Sequence, residues 1–502
     1  MSAVPLAEAI RRCAEADPDR AAITDPGGTL TRRDVDVLSD LAASRLLTAG
    51  AGPGSIIGIT GENSAHLLTL FFAVWKLGAV PLPLHRRKAD GELVELLRRA
   101  GAGVVVGFSP EVVSALGPDV RAVTLEAVFR PGRRSQLPSV PVSPNLRIGV
   151  SGGSTGPSKL IAVDVPAIVN PERPWHYGLR ADGTQVVPLD IVDGTGFVAS
   201  TTALALGCHL VLMPTFDAEQ MLRLISEHRA DWLALTQPGM LATVKLPVRV
   251  RAGYDVSSLR YVTHYSGGVA DWVKRRWIEW LGPERIAESY GATDARGSTW
   301  IDGVEWLQRP GSVGRAQPGC EIAIFDDQGR RRAPGELGQV HIRDLTGRRN
   351  FHYLGEPARG LDGGWESVGD LGRLDRDGYL YLADRAKDMI STAHGLVAPL
   401  PIEGAIEFHD AVRSAIVVGR RGADGFEHIH ALVDTASATV SDRDLEDMLA
   451  TRFPEIAIPA SWERCHGPLR DNAGKASRLL LRAASLAEDP PATVEVSRTV
   501  TS

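Results

Sequence analysis

Residues 55–60 read Ser55-Ile56-Ile57-Gly58-Ile59-Thr60, a short apolar run with a glycine on either side. A run without polar alternation predicts a strand buried on both faces, as in a parallel sheet. Working outward, Thr31 reads as the N-cap of a helix over 32–47. A helix is predicted over 64–77, a strand over 79–84, a helix over 91–100 and a strand over 103–107. The order is β-α-β-α-β, so the expected core is a mostly parallel sheet covered by helices on both faces. The most apolar stretch, 66–84, contains Lys76 and Gly78 and follows the polar Glu62-Asn63-Ser64. It predicts a buried helix running into a strand, not a membrane span.

The same rhythm returns later, with strands expected over 185–189, 209–213 and 232–235 and helices over 197–205 and 218–228. After about residue 315 the texture changes to strands at 321–325, 338–342 and 378–383, with turns such as Asp326-Asp327-Gln328-Gly329 between them. Segments 403–408, 412–418, 428–433 and 442–452 suggest a compact α+β unit, and 488–502 reads as a flexible tail. The expected class is α/β. A large N-terminal domain (1–384) would combine mostly parallel sheets with a β-rich subdomain. A small mobile α+β domain (388–487) and the tail would follow.

Composition narrows the function. The 502 residues carry a net charge of −6, which argues against a nucleic-acid binder built on bulk positive charge. Seven lysines stand against forty-eight arginines, so Lys76, Lys88, Lys159, Lys245, Lys274, Lys387 and Lys475 each stand out. Cys13, Cys208, Cys320 and Cys465 form no CxxC pair, so neither a zinc site nor a disulfide framework is indicated. Reduced thiols and an N-terminus without a secretory apolar core predict a cytoplasmic protein.

The strongest local signal is Ser151-Gly152-Gly153-Ser154-Thr155-Gly156-Pro157-Ser158-Lys159, which follows the apolar run 146–150. Glycines let backbone N–H groups approach an anion, hydroxyls add donors, and Lys159 supplies positive charge. The spacing is not that of a Walker A loop. A flexible turn is the other reading of such a stretch taken alone.

The loop resembles the phosphate loop of the adenylate-forming superfamily: acyl- and aryl-CoA ligases, nonribosomal adenylation domains and luciferases. Its form is most similar to that of the aryl-acid and bile-acid-type ligases. Further motifs follow in the family's order: Ser266-Gly267-Gly268, Glu288-Ser289-Tyr290-Gly291-Ala292-Thr293-Asp294, Gly335-Glu336-Leu337-Gly338, Glu366-Ser367-Val368-Gly369-Asp370, Asp384-Arg385-Ala386-Lys387-Asp388 and Asn472-Ala473-Gly474-Lys475. The stretch 71–85, FFAVWKLGAVPLPLH, is also typical, so the resemblance spans about residues 5–482.

The resemblance implies an ATP-dependent ligase that forms an acyl-adenylate and pyrophosphate. ATP would be held by Ser151, Gly152, Gly153, Ser154, Thr155, Gly156, Lys159, Gly267, Gly268, Glu288, Ser289, Tyr290, Gly291, Thr293, Asp370 and Arg385. Tyr290 has two readings, an aromatic face stacked on adenine or a core tyrosine. Asp294 stands where the family has a Mg2+-binding glutamate. Lys387 sits at the hinge, and Lys475 is the catalytic lysine, which would neutralise charge between the acid and the α-phosphate.

The chain departs from the family in its acid pocket and acceptor motif. The substrate strand runs Pro188-Leu189-Asp190-Ile191-Val192-Asp193-Gly194, with Val192 where a histidine is usual. Asp190, Val192, Asp193, Gly194 and Gly268 are the expected pocket residues. A carboxylate there would suit a substrate amine; Asp190 or Asp193 capping the next helix is the alternative. Thr392-Ala393-His394-Gly395-Leu396 replaces the Ser-Gly-Gly-Glu-Asn of CoA-using relatives, which puts CoA in question and opens the acceptor to a carrier-protein thiol or an amine. Ser158 before Lys159 is within the variation of aryl-acid relatives. The partners expected are a small-molecule acid or amine and a carrier protein, with no nucleic acid and no membrane. Two rival readings are a family member that activates nitrite to diazotise an aryl amine, and a nucleotide-binding pseudoenzyme.

Overall fold

The SIIGIT run forms the strand Ile56–Ile59, the second of four in an all-parallel sheet ordered Val80–Pro83, Ile56–Ile59, Val104–Val106, Arg121–Val123. The computed structural model describes residues 3–132, 137–151, 158–171, 178–265, 268–291, 297–347, 350–355, 360–435 and 440–465, together with 467, 469, 470, 474, 476 and 478. The expected tail, 488–502, lies outside them. The Arg32–Thr48 helix opens on a capping box: Thr31 Oγ1 accepts from the Asp34 N–H, and the Thr31 N–H donates to Asp34 Oδ2 at 2.9 Å. Such a cap is worth ~1 kcal/mol.

A second sheet of nine strands carries the later rhythm. Its strands Ile286–Ser289, Tyr261–Tyr265, Trp232–Leu235, Thr184–Val187, His209–Leu212 and Ala21–Asp25 run parallel in that spatial order, with antiparallel strands at both edges. The Ala65–Lys76 helix lies in the core shared by the two sheets. Phe71, Phe72 and Trp75 on it pack with Phe197 of the Gly194–Ala205 helix, and Ile57 and Leu210 belong to the same cluster. Asn63 joins the sheets: its amide nitrogen donates to Leu189 O (2.8 Å) and Met213 O (3.0 Å), and its oxygen accepts from the Ile191 N–H (2.9 Å).

Two differences from expectation bear on the site. The helix expected from 197 begins at Gly194, immediately after a turn closed by the Asp193 N–H on Asp190 O. A Cβ on Gly196 would lie 2.1 Å from Asp190 O, so the first helical turn sits on that loop only because the residue is glycine. The ten-residue strand Trp365–Leu374 was not anticipated, because Gly369, Asp370 and Gly372 read as turn residues. It pairs with Gly338–Asp344 and Leu380–Arg385 in the β-rich sheet.

The C-terminal residues build a separate core. The Pro399–Ile406 and Asp442–Arg452 helices pack on a sheet of Val412–Arg421, Glu427–Thr435 and Ser461–Cys465 through Ile402, Ile406, Val417, Leu445 and Leu449. They meet the nine-stranded sheet's helices through polar contacts. Lys245 Nζ donates to His409 O (2.8 Å) and to Val412 O, Trp272 Nε1 to Gly404 O (2.8 Å), and Gln237 Nε2 to Glu407 Oε2 (3.2 Å). Burial pushes Lys245 down to about 8 and Glu407 up to about 7. Within the C-terminal unit, Arg478 bonds Asp388 Oδ2 (3.0 Å) and Glu403 Oε1 (2.7 Å), and Arg470 pairs with the same Glu403.

The raised carboxyl of Glu407 gives a pH test. The folded chain keeps a proton that the unfolded chain releases above the ordinary 4.5, so stability falls as pH rises from about 4.5 to 7. Gln237 Oε1 is buried without a hydrogen-bond partner, so turning the Gln237 amide over, in place of its Nε2, would offer an acceptor to a protonated or amide group at 407. Glu407→Gln is expected to raise unfolding free energy by about 1–3 kcal/mol at pH 8 and to change it little at pH 5. Thermal unfolding at both values checks this; equal shifts would exclude titration of Glu407 as the cause.

Candidate active site

Several loops at the candidate site leave the carboxyl ends of parallel strands. His85 follows Val80–Pro83, Asp190 and Asp193 follow Thr184–Val187, Gly268 follows Tyr261–Tyr265, and Tyr290 follows Ile286–Ser289. The crevice outside such ends is where open α/β sheets bind ligands.

On one side of it stands a histidine–carboxylate group. His85 Nε2 lies 3.1 Å from Asp190 Oδ2, and the Arg87 guanidinium is 3.9 Å from the same oxygen. The Arg87 backbone N–H donates to His85 Nδ1 at 3.2 Å. This network assigns the lone pair to Nδ1 and the proton to Nε2, which donates to Asp190. Asp193 completes the group, the three ligand atoms lying within 4.8 Å of one another. The proton on Nε2 disfavours a metal ion there, since a bound metal would need that lone pair. Asp193 occupies the N-cap position of the Gly194–Ala205 helix, yet its side chain makes no cap hydrogen bond. The capping alternative is thereby corrected: the carboxylate turns to the cluster instead. Val192 is buried behind it. Arg147 is buried 5.3 Å over the Phe197 ring; burial lowers it to about 10, opposed by the charge of Asp193.

On the other side the structure brings Tyr290, Asp370 and Arg385 together. The Tyr290 hydroxyl donates to Asp370 Oδ2 at 2.5 Å, and Arg385 Nε lies 3.7 Å from Asp370 Oδ1 across the strand pair that sets these two residues opposite. Burial raises the Asp370 carboxyl, while Tyr290 and Arg385 pull it down. The Tyr290 ring is packed in a core with Val313, Ile322 and Val340, which favours the core reading; its hydroxyl is what faces the site. Lys159 opens the strand Lys159–Val163 opposite Ser151, with Nζ 5.3 Å from the Tyr353 ring. Gly268 has φ +64°, and Leu400 Cδ2 lies 2.1 Å from where its Cβ would stand. Lys387 is exposed, its pKa lowered by partial desolvation beside Arg385. Gly291 pairs with Ser298.

Two motif residues turn their side chains into the core. Glu288 is buried with Oε2 2.5 Å from Lys274 Nζ and 3.4 Å from His264 Nε2; these two partners hold its carboxyl down to about 2 against burial. The Glu288 carboxylate is thus engaged with Lys274 and His264 inside the core. Ser289 is buried, and its hydroxyl donates to Thr299 O at 3.1 Å. Gly152, Gly153, Ser154, Thr155, Gly156, Gly267, Thr293, Asp294 and Lys475 lie outside the described residues. Sequence reasoning missed His85, although it ends the stretch 71–85, because nothing local marks it as reaching the next sheet.

Breaking the buried pair tests the core role. Lys274→Met is expected to cost about 3–5 kcal/mol of stability by stranding Glu288, while the folded fraction keeps its nucleotide affinity. Denaturant unfolding alongside calorimetric ATP titration measures both; a selective loss of ATP affinity with unchanged stability would return Glu288 to the nucleotide site.

With this geometry in place, comparison with known proteins adds the following. A family model described as AMP-binding enzyme matches residues 10–346. The chain is 28% identical over 494 residues to the fatty acid–[acyl-carrier-protein] ligase ScoC of Streptomyces coeruleorubidus, covering 93% of this chain and 94% of that one. The O-succinylbenzoate coenzyme A synthetase MenE from Bacillus subtilis, solved with ATP and magnesium ion, has a TM-score of 0.79 at 20% identity over 96% of this chain and 100% of its own. The anthranilate CoA ligase AuaEII, solved with anthranoyl-AMP, has a TM-score of 0.81 at 21% identity, covering 96% and 97%. No helix among the described residues is long and apolar enough to cross a membrane.

Proposed function

The chain belongs to the AMP-binding enzyme family, the adenylate-forming ligases, and on that footing we propose that it activates an amine-bearing carboxylic acid as its acyl-AMP. The observation that carries the substrate half is the His85–Asp190–Asp193 group at the crevice. Two carboxylates, one held in place by His85, suit an ammonium group that brings its own charge into a partly buried pocket. The nucleotide half rests on the convergence of Tyr290, Asp370 and Arg385. Asp370 would take the ribose hydroxyls, Arg385 the ribose or phosphate, and the 151–159 loop with Lys159 the phosphates. Asp294 would hold Mg2+, a hard cation that suits a carboxylate oxygen and screens the phosphates when bound.

In this reading the acid's carboxylate oxygen attacks the α-phosphorus and pyrophosphate leaves. Holding two anions in line and neutralising them is most of the catalysis, and Lys475 is the group assigned to it. The division into 1–384 and a mobile 388–487 with its hinge at Lys387 is part of the proposal, as is a cytoplasmic setting. A carrier-protein thiol or an amine is favoured over CoA as acceptor. The hairpin of Ile390–Thr392 and Gly395–Val397 carries side chains at Ala393 and His394 where relatives keep glycines, and ScoC is named for a carrier-protein substrate. Neither the described site nor the proteins named above support nitrite activation.

Pyrophosphate release with mass detection of products tests the reading, across aryl, amino-aryl and aliphatic acids. Turnover should be highest with an amine-bearing acid. ATP binding without release for any acid would support the pseudoenzyme reading instead. Lys475→Ala should lose most adenylate formation, on the order of 100-fold, and keep ATP binding. Asp193→Asn should raise KM about tenfold for the amine-bearing acid only; equal effects on an amine-free analogue would remove Asp193 from recognition.

A further inference from the structure

Outside the acid and nucleotide groups, one charged cluster grips the exit of the glycine-rich loop. Ser158 Oγ donates to Glu92 Oε1 at 2.6 Å, and Lys88 Nζ donates to the same oxygen at 2.6 Å. Lys88 Nζ also lies 3.3 Å from Ser158 Oγ, and Arg99 Nη1 donates to the Ser158 carbonyl at 2.9 Å. Both polar groups of Ser158 that face this cluster are therefore engaged, and the residue is 6% exposed. The hydrogen bonds from Lys88 and Ser158 hold the Glu92 carboxyl below its ordinary range although burial opposes them.

The grip comes from a rigid support. The Asp90–Ala100 helix carries Glu92 and Arg99 on its polar edge. Its apolar face, with Leu93 and Leu97, packs in one cluster with Leu82 and Val105 of the four-stranded sheet and with Ile148 and Leu160 of the two strands that flank the loop. The turn that bears Lys88 is closed by the Lys88 N–H on His85 O at 3.1 Å. Ser158 immediately precedes Lys159, which pairs with Ser151 at the loop's neck. The bonds to Ser158 thus fix, from outside, the point where the loop becomes strand.

We propose that Lys88, Glu92 and Arg99 form a latch on Ser158 that positions the neck of the phosphate loop, and with it Lys159, for ATP. This rests on reading 151–159 as that loop. The four are positioning residues: through Ser158 they set where Lys159 stands. The serine before Lys159 is then a working part and not a tolerated variation.

The experiment is calorimetric ATP titration and steady-state pyrophosphate release for the wild type, Ser158→Ala, Ser158→Thr and Glu92→Gln, with thermal unfolding of each. Ser158→Ala should raise the ATP Kd and the ATP KM about five- to tenfold, leave the KM for the acid unchanged and leave the unfolding midpoint close to wild type. Ser158→Thr, which keeps the hydroxyl, should restore ATP affinity, and Glu92→Gln should fall between. If Ser158→Ala does not fold, Lys88→Met reports on the same latch from a part-exposed position. A wild type that binds ATP and a Ser158→Ala that binds it equally well would overturn the latch and leave the proposed function standing. A wild type that binds no ATP would overturn the reading of the loop and the latch with it. Equal losses for both substrates with a lowered midpoint would reduce Ser158 to a purely structural residue and also overturn the proposal.

Discussion

Asn63 is the joint on which the arrangement of the crevice depends. Its side-chain amide makes three buried hydrogen bonds, all to backbone groups at the carboxyl ends of two strands in the nine-stranded sheet, while its own loop leaves a strand of the four-stranded sheet. Among the described residues neither sheet has a backbone ladder to the other. One tie between the loop ends of the two is a side chain that spends both its donors and its acceptor there. An apolar residue in its place would strand three buried backbone groups, each of which carries a desolvation cost. The His85–Asp190 hydrogen bond spans the same seam.

Buried charge is used in two distinct ways. Glu288, on the strand that leads into Tyr290, and Lys274 neutralise each other inside the core. Glu403 instead gathers Arg470 and Arg478, the residues on either side of the segment that contains Gly474. In both places desolvation would forbid a lone charge, and a partner at hydrogen-bond distance makes it tolerable. The second arrangement ties Arg470 and Arg478 to one carboxylate of the Pro399–Ile406 helix.

Much of the fold was legible because hydrophobic period and turn residues agree with it. The SIIGIT strand, the capped helix after Thr31 and the buried helix through Phe71 and Trp75 all formed where local pattern placed them. The Trp365–Leu374 strand was missed because its glycines and aspartate carry turn chemistry, which its two antiparallel neighbours override. The candidate site was legible only as a set of motifs. Which atoms face the crevice is decided by packing: the same motif sends Tyr290's hydroxyl to Asp370 and Glu288's carboxylate to Lys274. His85 and Glu92 carry no motif of their own, and only the meeting of separate strands and helices gives them partners.

Leu400 rests where a side chain on Gly268 would be, 2.1 Å from the position its Cβ would take. A single methyl group is therefore the whole clearance between the Pro399–Ile406 helix and the loop after Tyr261–Tyr265. Gly268 works as a keyhole as well as a bend: its φ of +64° shapes the loop, and its missing carbon admits a leucine from a remote part of the chain. The two demands are independent, so a residue that tolerated the dihedral would still jam the fit.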